Sequence, residues 1–368
     1  MNCDLLLLDA KFLLFKAAYA FNSLTTEWEG STVRTGGVYG FLRQILKIHE
    51  TYGGSMVVVW DSIHNIRRQT LPTYKGHKPS AQYDELTASV HEQEPIAIRL
   101  LSYLGIRQAS ADGYEADDVL YTLAKRYSEV GFNVVIYTGD EDLLQAVGPN
   151  RTVVLSKRKT DDECVNEQRL MDLKGLTPSQ FSDAKCLSGC TSDNVPGVPG
   201  IGKTYATKII QAFGNLNNVL NSLDVDSAQW DGIASRLRLA IREHKDQVVR
   251  NLKLIRLFDC NDNMKFMVSV RDLEKSQEML QVLDFKTMLS PSNFEKLLSL
   301  GVARDGEIVC PRGAKHYTRN QIQEMCTYYL TRDISAVLGN EYCHNSCPTP
   351  QLIGIRVQYE NSMEATHA

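Results

Sequence analysis

Three short apolar runs in this chain end in an acid. Leu5 to Leu8 runs into Asp9, Met56 to Trp60 into Asp61, and Val134 to Tyr137 into Thr138-Gly139-Asp140, with Asp142 one step on. Short apolar runs bounded by turn signals read as strands buried on both faces. Parallel strands of that kind would deliver Asp9, Asp61, Asp140 and Asp142 to one sheet edge, where open α/β sheets build their sites. A fourth acidic group, Glu115-Ala116-Asp117-Asp118, opens a helical pattern. Glu115 and Asp118 are three apart and so share a face at a helix N-terminus, where the dipole offsets part of their repulsion. Each acid alone could be an ordinary helix cap. Together, seven converging carboxylates would repel strongly without cations. Hard oxygen ligands at this density suit Mg²⁺, with Mn²⁺ as a substitute. Two such ions would clamp a phosphodiester, one activating water and the other stabilising the leaving oxygen.

The elements that must position these acids follow from the pattern. A fourth strand is expected over Val153 to Leu155. Helices are expected over Gly37 to His49, Pro95 to Leu104 and Ala116 to Ser128. Strands alternating with helices imply an α/β domain with a mostly parallel sheet covered on both faces. Ser62 to Glu94 is polar and basic in its first half, with Arg67, Arg68, Tyr74, Lys75, His77 and Lys78. So long a stretch inside such a domain is unusual and often functional. After about Asp172 helices joined by Gly/Pro turns take over to about Phe258, and Lys265 to Val270 could add one strand. The division expected is a core over 1–172, a helical domain over 173–290 and an extension over 291–368.

Bulk properties fit this outline. The chain has 368 residues, 43% hydrophobic and 23% charged, as in an ordinary soluble globular protein. Its net charge of −4 argues mildly against a nucleic-acid partner, but a carboxylate site lowers the average while basic residues cluster elsewhere. Nine cysteines without regular spacing fit a reducing compartment. The tail segment Cys343-His344-Asn345-Ser346-Cys347 lacks the spacing of a zinc finger. Met1 to Phe21 has no basic start and is interrupted by Asp4 and Asp9, unlike a signal peptide. With no apolar run of transmembrane length, the expectation is a cytoplasmic protein without a membrane partner.

Gly197-Val198-Pro199-Gly200-Ile201-Gly202-Lys203-Thr204 spells a nucleotide-binding P-loop. A P-loop follows a buried strand, whereas the residues before this one are polar and turn-like. The better reading is a glycine-rich hairpin between helices. Its amides, with Lys203, Thr204 and Lys208 on the following helix, would hold a DNA phosphate beside a K⁺ ion.

These segments, in this order, resemble the 5′-nuclease (flap endonuclease) family, which includes the 5′-nuclease domain of bacterial DNA polymerase I and stand-alone phage exonucleases. The resemblance rests on Leu7-Leu8-Asp9, Thr35 to Phe41, Val58 to Asp61, Tyr74 to Pro79, Gly113 to Asp118, Thr138 to Leu143 and Ser192 to Gly197, and runs to about residue 290. It implies a resolvase-like nuclease core, a helical arch over about 62–94 and a helix–three-turn–helix domain of the helix-hairpin-helix type. It implies metal ligands at Asp9, Asp61, Glu115, Asp117, Asp118, Asp140, Asp142 and Asp193. Lys75 would polarise the scissile phosphate, Lys16 would lie near it, Tyr74 would stack on a base, and Arg67, Arg68 and Lys78 would bind DNA. The implied substrate is DNA with 5′ flaps, junctions or RNA primers, and the implied role is primer removal in replication or repair. One departure matters: the family's Gly-Asp-x-x-Asp-Asn is Gly189-Cys190-Thr191-Ser192-Asp193-Asn194 here, and a thiol is a poor Mg²⁺ ligand. The glycine hairpin also departs, with Lys203 one place early. Two further readings follow: a branched-DNA binding protein with a weakened nuclease site, and an RNA-directed nuclease of the related PIN type.

Overall fold

The computed structural model describes residues 3–28, 30–76, 81–157, 161–267 and 271–301, with the short strand pair 308–309 and 316–317. His77, Lys78 and the cysteines of the tail lie outside them.

The core opens with β1 (Leu5–Asp9), whose residues Leu5 to Leu8 are fully buried. It is followed by α1 (Ala10–Ala20), a hairpin of β2 (Thr25–Trp28) and β3 (Ser31–Arg34), and α2 (Gly36–Tyr52). The chain continues through β4 (Ser55–Val59), the short α3 (Arg67–Thr70), α4 (Ala81–Tyr103), β5 (Arg107–Ala111) and α5 (Ala116–Glu129). Then come β6 (Val134–Thr138), a 3₁₀ turn over Glu141–Ala146, β7 (Arg151–Leu155) and β8 (Glu163–Val165). The helical part consists of α6 (Glu167–Lys174), α7 (Pro178–Ser188), α8 (Lys203–Phe213), α9 (Leu216–Asn221), α10 (Ser235–Glu243) and α11 (Lys245–Ile255). Last are β9 (Met264–Met267), α12 (Leu273–Val282) and α13 (Pro291–Leu300).

The sheet order is β8-β7-β6-β1-β4-β5-β9. The five inner strands are parallel and both edges are antiparallel. Successive side chains point to opposite faces, so Leu5 and Leu7 join one apolar cluster while Leu6 and Leu8 join another. The first cluster continues into α5 and α7 to α11. The second is covered by α1, α2, α4, α12 and α13. The chain leaves β1 for β4 and β5 on one side, then crosses back to β6 on the other. The strand order therefore reverses at β1 and β6, the place where such sheets hold ligands.

Two elements differ from the sequence expectation. β5 (Arg-Gln-Ala-Ser-Ala) has no apolar run. It is nevertheless a central strand, because Gln108 is fully buried, accepting from Trp60 Nε1 (2.9 Å) and donating to Ile98 O (3.1 Å). α4 begins at Ala81 and runs through Pro95 rather than starting there. Its later residues Val90, Ala97, Leu100 and Leu101 are buried on the core, while Tyr83 to Glu85 of the expected arch are exposed. β9 pairs with β5, and α12 and α13 cover the sheet face. Residues 264–267 and 271–300 thus pack on the core sheet. No described helix is long and apolar enough to cross a membrane.

Candidate metal centre

Asp9 closes β1 in register with Val59, two residues before Asp61. Its Oδ1 accepts from Phe12 N (3.1 Å), capping α1, and its Oδ2 accepts from Thr138 Oγ1 (2.7 Å). The cap and the site position coexist in one carboxylate. Burial pushes its pKa up to about 6, and the charges of Asp61 and Asp140 add to the rise, against the two hydrogen bonds. Asp61 accepts from Ala116 N (2.8 Å), tying β4 to the start of α5. Asp140 starts the 3₁₀ turn by accepting from Asp142 N (2.8 Å). Gly139 between Thr138 and Asp140 cannot carry a side chain, since a Cβ there would lie 2.1 Å from the Phe12 ring.

Glu115 is the N-cap of α5, with extended backbone (φ −83°, ψ 160°). The helix-face rule therefore does not apply to it, and Asp117 and Asp118 diverge. Asp117 faces Asp140, Asp9 and Glu115. Desolvation first, then those charges, against the opposing charge of Lys75, hold its pKa well above the carboxylate range. Asp140 is raised for the same kind of reason, by desolvation and then Asp142. Asp9 thus feels Asp61 and Asp140, and Asp117 feels Asp140, Asp9 and Glu115, so the five carboxylates form a run of repelling neighbours, offset in part by Lys11 at Asp61 and by Lys75 and Arg67 at Glu115. That donor set suits a hard divalent cation.

Asp118 does not join the group, contrary to expectation. It is fully buried and receives both arms of Arg67 (2.6 and 2.7 Å), Glu115 N (3.2 Å) and Phe258 N (2.9 Å). No lone pair is left to face a metal. Arg67, expected on a DNA surface, is 2% exposed. It also donates to Glu115 Oε2 (3.0 Å), Leu254 O (2.9 Å) and Arg256 O (3.1 Å), and lies over the Phe258 ring. Tyr74, expected to stack on a base, is 3% exposed and donates to Glu115 Oε2 (2.9 Å). Both residues orient Glu115. Burying charge would exclude them on its own, but each polar atom here has a partner.

Lys75 meets Glu115 Oε1 at 2.5 Å. Its backbone is left-handed (φ 50°), uncommon for a residue with a side chain, and its N–H donates to Asp193 O (2.9 Å). Asn194 Nδ2 donates to Thr73 O (3.0 Å). The turn that presents Lys75 is thereby pinned to the loop that presents Asp193. Lys16 does not reach the carboxylates: it donates to Ser156 Oγ (2.7 Å), and its charged neighbours are Asp162 and Lys47. Two lysines that sequence reasoning passed over do reach them. Lys11 Nζ lies 3.2 Å from Asp61 Oδ2, and Lys185 Nζ pairs with Asp142 Oδ1. Lys11 sits in the first turn after Asp9, and Lys185 sits one turn before Gly189. Those adjacencies were the available signals.

Asp142, Cys190 and Asp193 form a second cluster, with ligand atoms all within 4.8 Å of one another. Gly189 (φ 75°) and Gly197 stand back to back, leaving no room for a Cβ on either. The strand-like bridge Cys190–Val195 closes the loop above them. Cys190 Sγ donates to Asp193 Oδ2 (3.1 Å) and contacts Ser192 Oγ (3.0 Å). Burial raises its pKa. The protonated thiol and the Lys185 ammonium do not suit Mg²⁺ at this position.

The glycine turn follows α7 and this loop, not a strand, so the P-loop context is missing. Gly202 caps α8 without a side-chain partner, and Gly200 is left-handed (φ 79°). Gly202, Lys203, Thr204 and Lys208 are exposed, as is Arg68.

Residues 4–175 match the family model described as 5′-3′ exonuclease, N-terminal resolvase-like domain. Residues 176–279 match 5′-3′ exonuclease, C-terminal SAM fold. A 5′-3′ exonuclease of Aquifex aeolicus (strain VF5) is 30% identical over 291 residues, 77% of this chain and 93% of that one. The chain belongs to the 5′-3′ exonuclease family. DNA polymerase I of Bacillus caldotenax is 33% identical over 257 residues, 69% of this chain, which spans only 28% of that protein's length. In fold, the chain is similar to the bacteriophage T5 D15 flap endonuclease in a pseudo-enzyme–product complex with DNA and metal ions. That likeness has a TM-score of 0.56 at 18% identity and covers 77% of this chain and 100% of that one. The α/β resolvase-like core with a helical second part is the fold of this family.

Proposed function

We propose that this chain is a structure-specific 5′-3′ exonuclease and flap endonuclease that hydrolyses DNA phosphodiesters near single-strand/double-strand junctions. The observation that carries the reading is the group of Asp9, Asp61, Glu115, Asp117 and Asp140, converging from four segments at the strand reversal with Lys75 at its rim. Bound there, Mg²⁺ or Mn²⁺ would supply an activated water and a stabilised leaving oxygen. The carboxylates would hold the ions, and Lys75 would exchange Glu115 for the scissile phosphate. The exposed amides of the glycine turn, with Lys203, Thr204 and Lys208, would grip the duplex backbone without reading sequence, beside K⁺. Removal of flaps or primers in replication and repair is the role this suits.

The test is a 5′-labelled double-flap DNA incubated with Mg²⁺, with Mn²⁺ and with EDTA. Junction cutting that EDTA abolishes is the expected result. Tight binding without cutting in either ion would favour the second reading, a branched-DNA binding protein, which Cys190 and the Lys185–Asp142 pair support. Cys190→Asp discriminates further. A large gain in rate would mark the natural second position as impaired, and no gain would mean the other ligands suffice.

Lys203→Ala should weaken flap binding several-fold for all sequences alike. It should lower the slope of log affinity against log salt by about 1, the mark of one lost phosphate contact. Salt titration by fluorescence anisotropy reads both, and an unchanged slope would remove Lys203 from the interface.

A further inference from the structure

We infer that Asp142, Cys190 and Asp193 form a thiophilic divalent-metal position, one that takes an ion of the Zn²⁺, Co²⁺ or Cd²⁺ class in preference to Mg²⁺, with Lys185 standing in for the cation until it arrives. The inference rests on the nuclease reading for the identity of the neighbouring carboxylates. Its evidence is the chemistry of this one cluster.

The three groups are brought together by separate devices. Asp142 comes from the 3₁₀ turn capped by Asp140. Cys190 and Asp193 come from the loop closed by the Cys190–Val195 bridge, and Lys75 N–H holds that loop by Asp193 O. One sulfur and two carboxylates within 4.8 Å make three ligands of mixed softness, and a water would complete a tetrahedral shell. A thiolate ligand favours soft and borderline ions over Mg²⁺, which demands oxygen and six-fold geometry. The pairs seen now, Lys185 with Asp142 and the Cys190 thiol with Asp193, satisfy the carboxylates internally. An entering ion must displace both, sending the Cys190 thiol proton to solvent and the Lys185 ammonium off Asp142. A hard ion gains little from sulfur in return, whereas a thiophilic ion gains a strong bond.

The probe is Co²⁺ added to the full chain in a large excess of Mg²⁺. Thiolate coordination gives intense near-ultraviolet charge-transfer absorption, and oxygen ligands do not. The quantity read is the difference between the natural chain and Cys190→Asp, which cancels any signal from other cysteines. The expected difference is one equivalent of absorbing Co²⁺, lost in Cys190→Asp, where Mg²⁺ should compete about tenfold or more better. Lys185→Gln should tighten Co²⁺ several-fold in the same titration. Equal absorption in the natural chain and Cys190→Asp would overturn the inference, as would equal competition by Mg²⁺. Unchanged Co²⁺ affinity in Lys185→Gln would overturn the role of Lys185. The two readings fail separately: EDTA-sensitive flap cutting without the cobalt signature sinks only this inference, and the signature without cutting sinks only the nuclease.

Discussion

Asp117→Asn should cut cleavage sharply and stabilise the metal-free protein. The two effects have one cause. Asp117 faces Asp140, Asp9 and Glu115, and desolvation with those charges holds its carboxyl well above the ordinary range. A carboxyl raised in the folded state contributes stability at low pH that is lost as pH rises through its folded value. Ionising the group in the folded chain therefore opposes folding, and Asn removes that penalty without changing shape. On the proposed nuclease reading, the same substitution deletes a charge that the divalent ions would need, so turnover should fall on the order of 10³-fold, comparable to the loss of other key electrostatic groups. Thermal unfolding in EDTA should show a higher midpoint for Asp117→Asn at pH 7.5, with the difference shrinking as pH falls. Mg²⁺ should raise the midpoint of the natural chain more than that of the variant. A lower midpoint in EDTA would mean that Asp117 is not under electrostatic strain.

The second large effect belongs to Arg67. Its guanidinium bridges Asp118, Glu115 and the backbone of Leu254 and Arg256, so one side chain joins α3, the start of α5 and the end of α11. Arg67→Met would leave Asp118 buried and unpaired, at a cost of roughly 3–5 kcal/mol. Arg67→Lys should recover little, because an ammonium cannot reproduce the two-armed pairing. Adding Asp118→Leu to Arg67→Met should restore part of the loss by removing the stranded charge. Urea unfolding midpoints of the three variants decide this. A double variant no more stable than Arg67→Met would show that the guanidinium acts mainly through the backbone carbonyls.

The carboxylates delivered by strand ends were legible in the sequence because an apolar run fixes both the strand and the position of its last residue. Asp9, Asp61 and Asp140 needed no more than that. Asp117 and Asp118 could not be separated that way. Which of two adjacent acids faces the site depends on Arg67, 51 residues before Asp118 in the chain, and on the extended backbone of Glu115. The basic segment from Ser62 misled for a related reason: charge suggests a surface, but Arg67 is buried against acids that sequence alone does not bring near. β5 was hidden because its small and polar residues are satisfied by Trp60 and Ile98, contacts invisible to any local pattern. The pairings of Lys11 and Lys185 were likewise tertiary facts.

The return of β9 to β5 bears on how the chain is made. Gln108 to Ala111 find their partners at Met264 to Met267, more than 150 residues later. While the chain emerges from a ribosome, β5 presents an unpaired edge until that stretch has appeared. The face later covered by α12 and α13 stays open until about residue 300. Such late, distant closure slows folding and prolongs exposure of aggregation-prone surface. Within the helical excursion between Glu167 and Ile255, α7 packs on α8 and on α11, so the excursion brings the chain back toward the sheet edge where β9 pairs. A nascent chain halted before Met264 would therefore carry all the site's acids on an unfinished sheet, and the last strand sets when the fold closes.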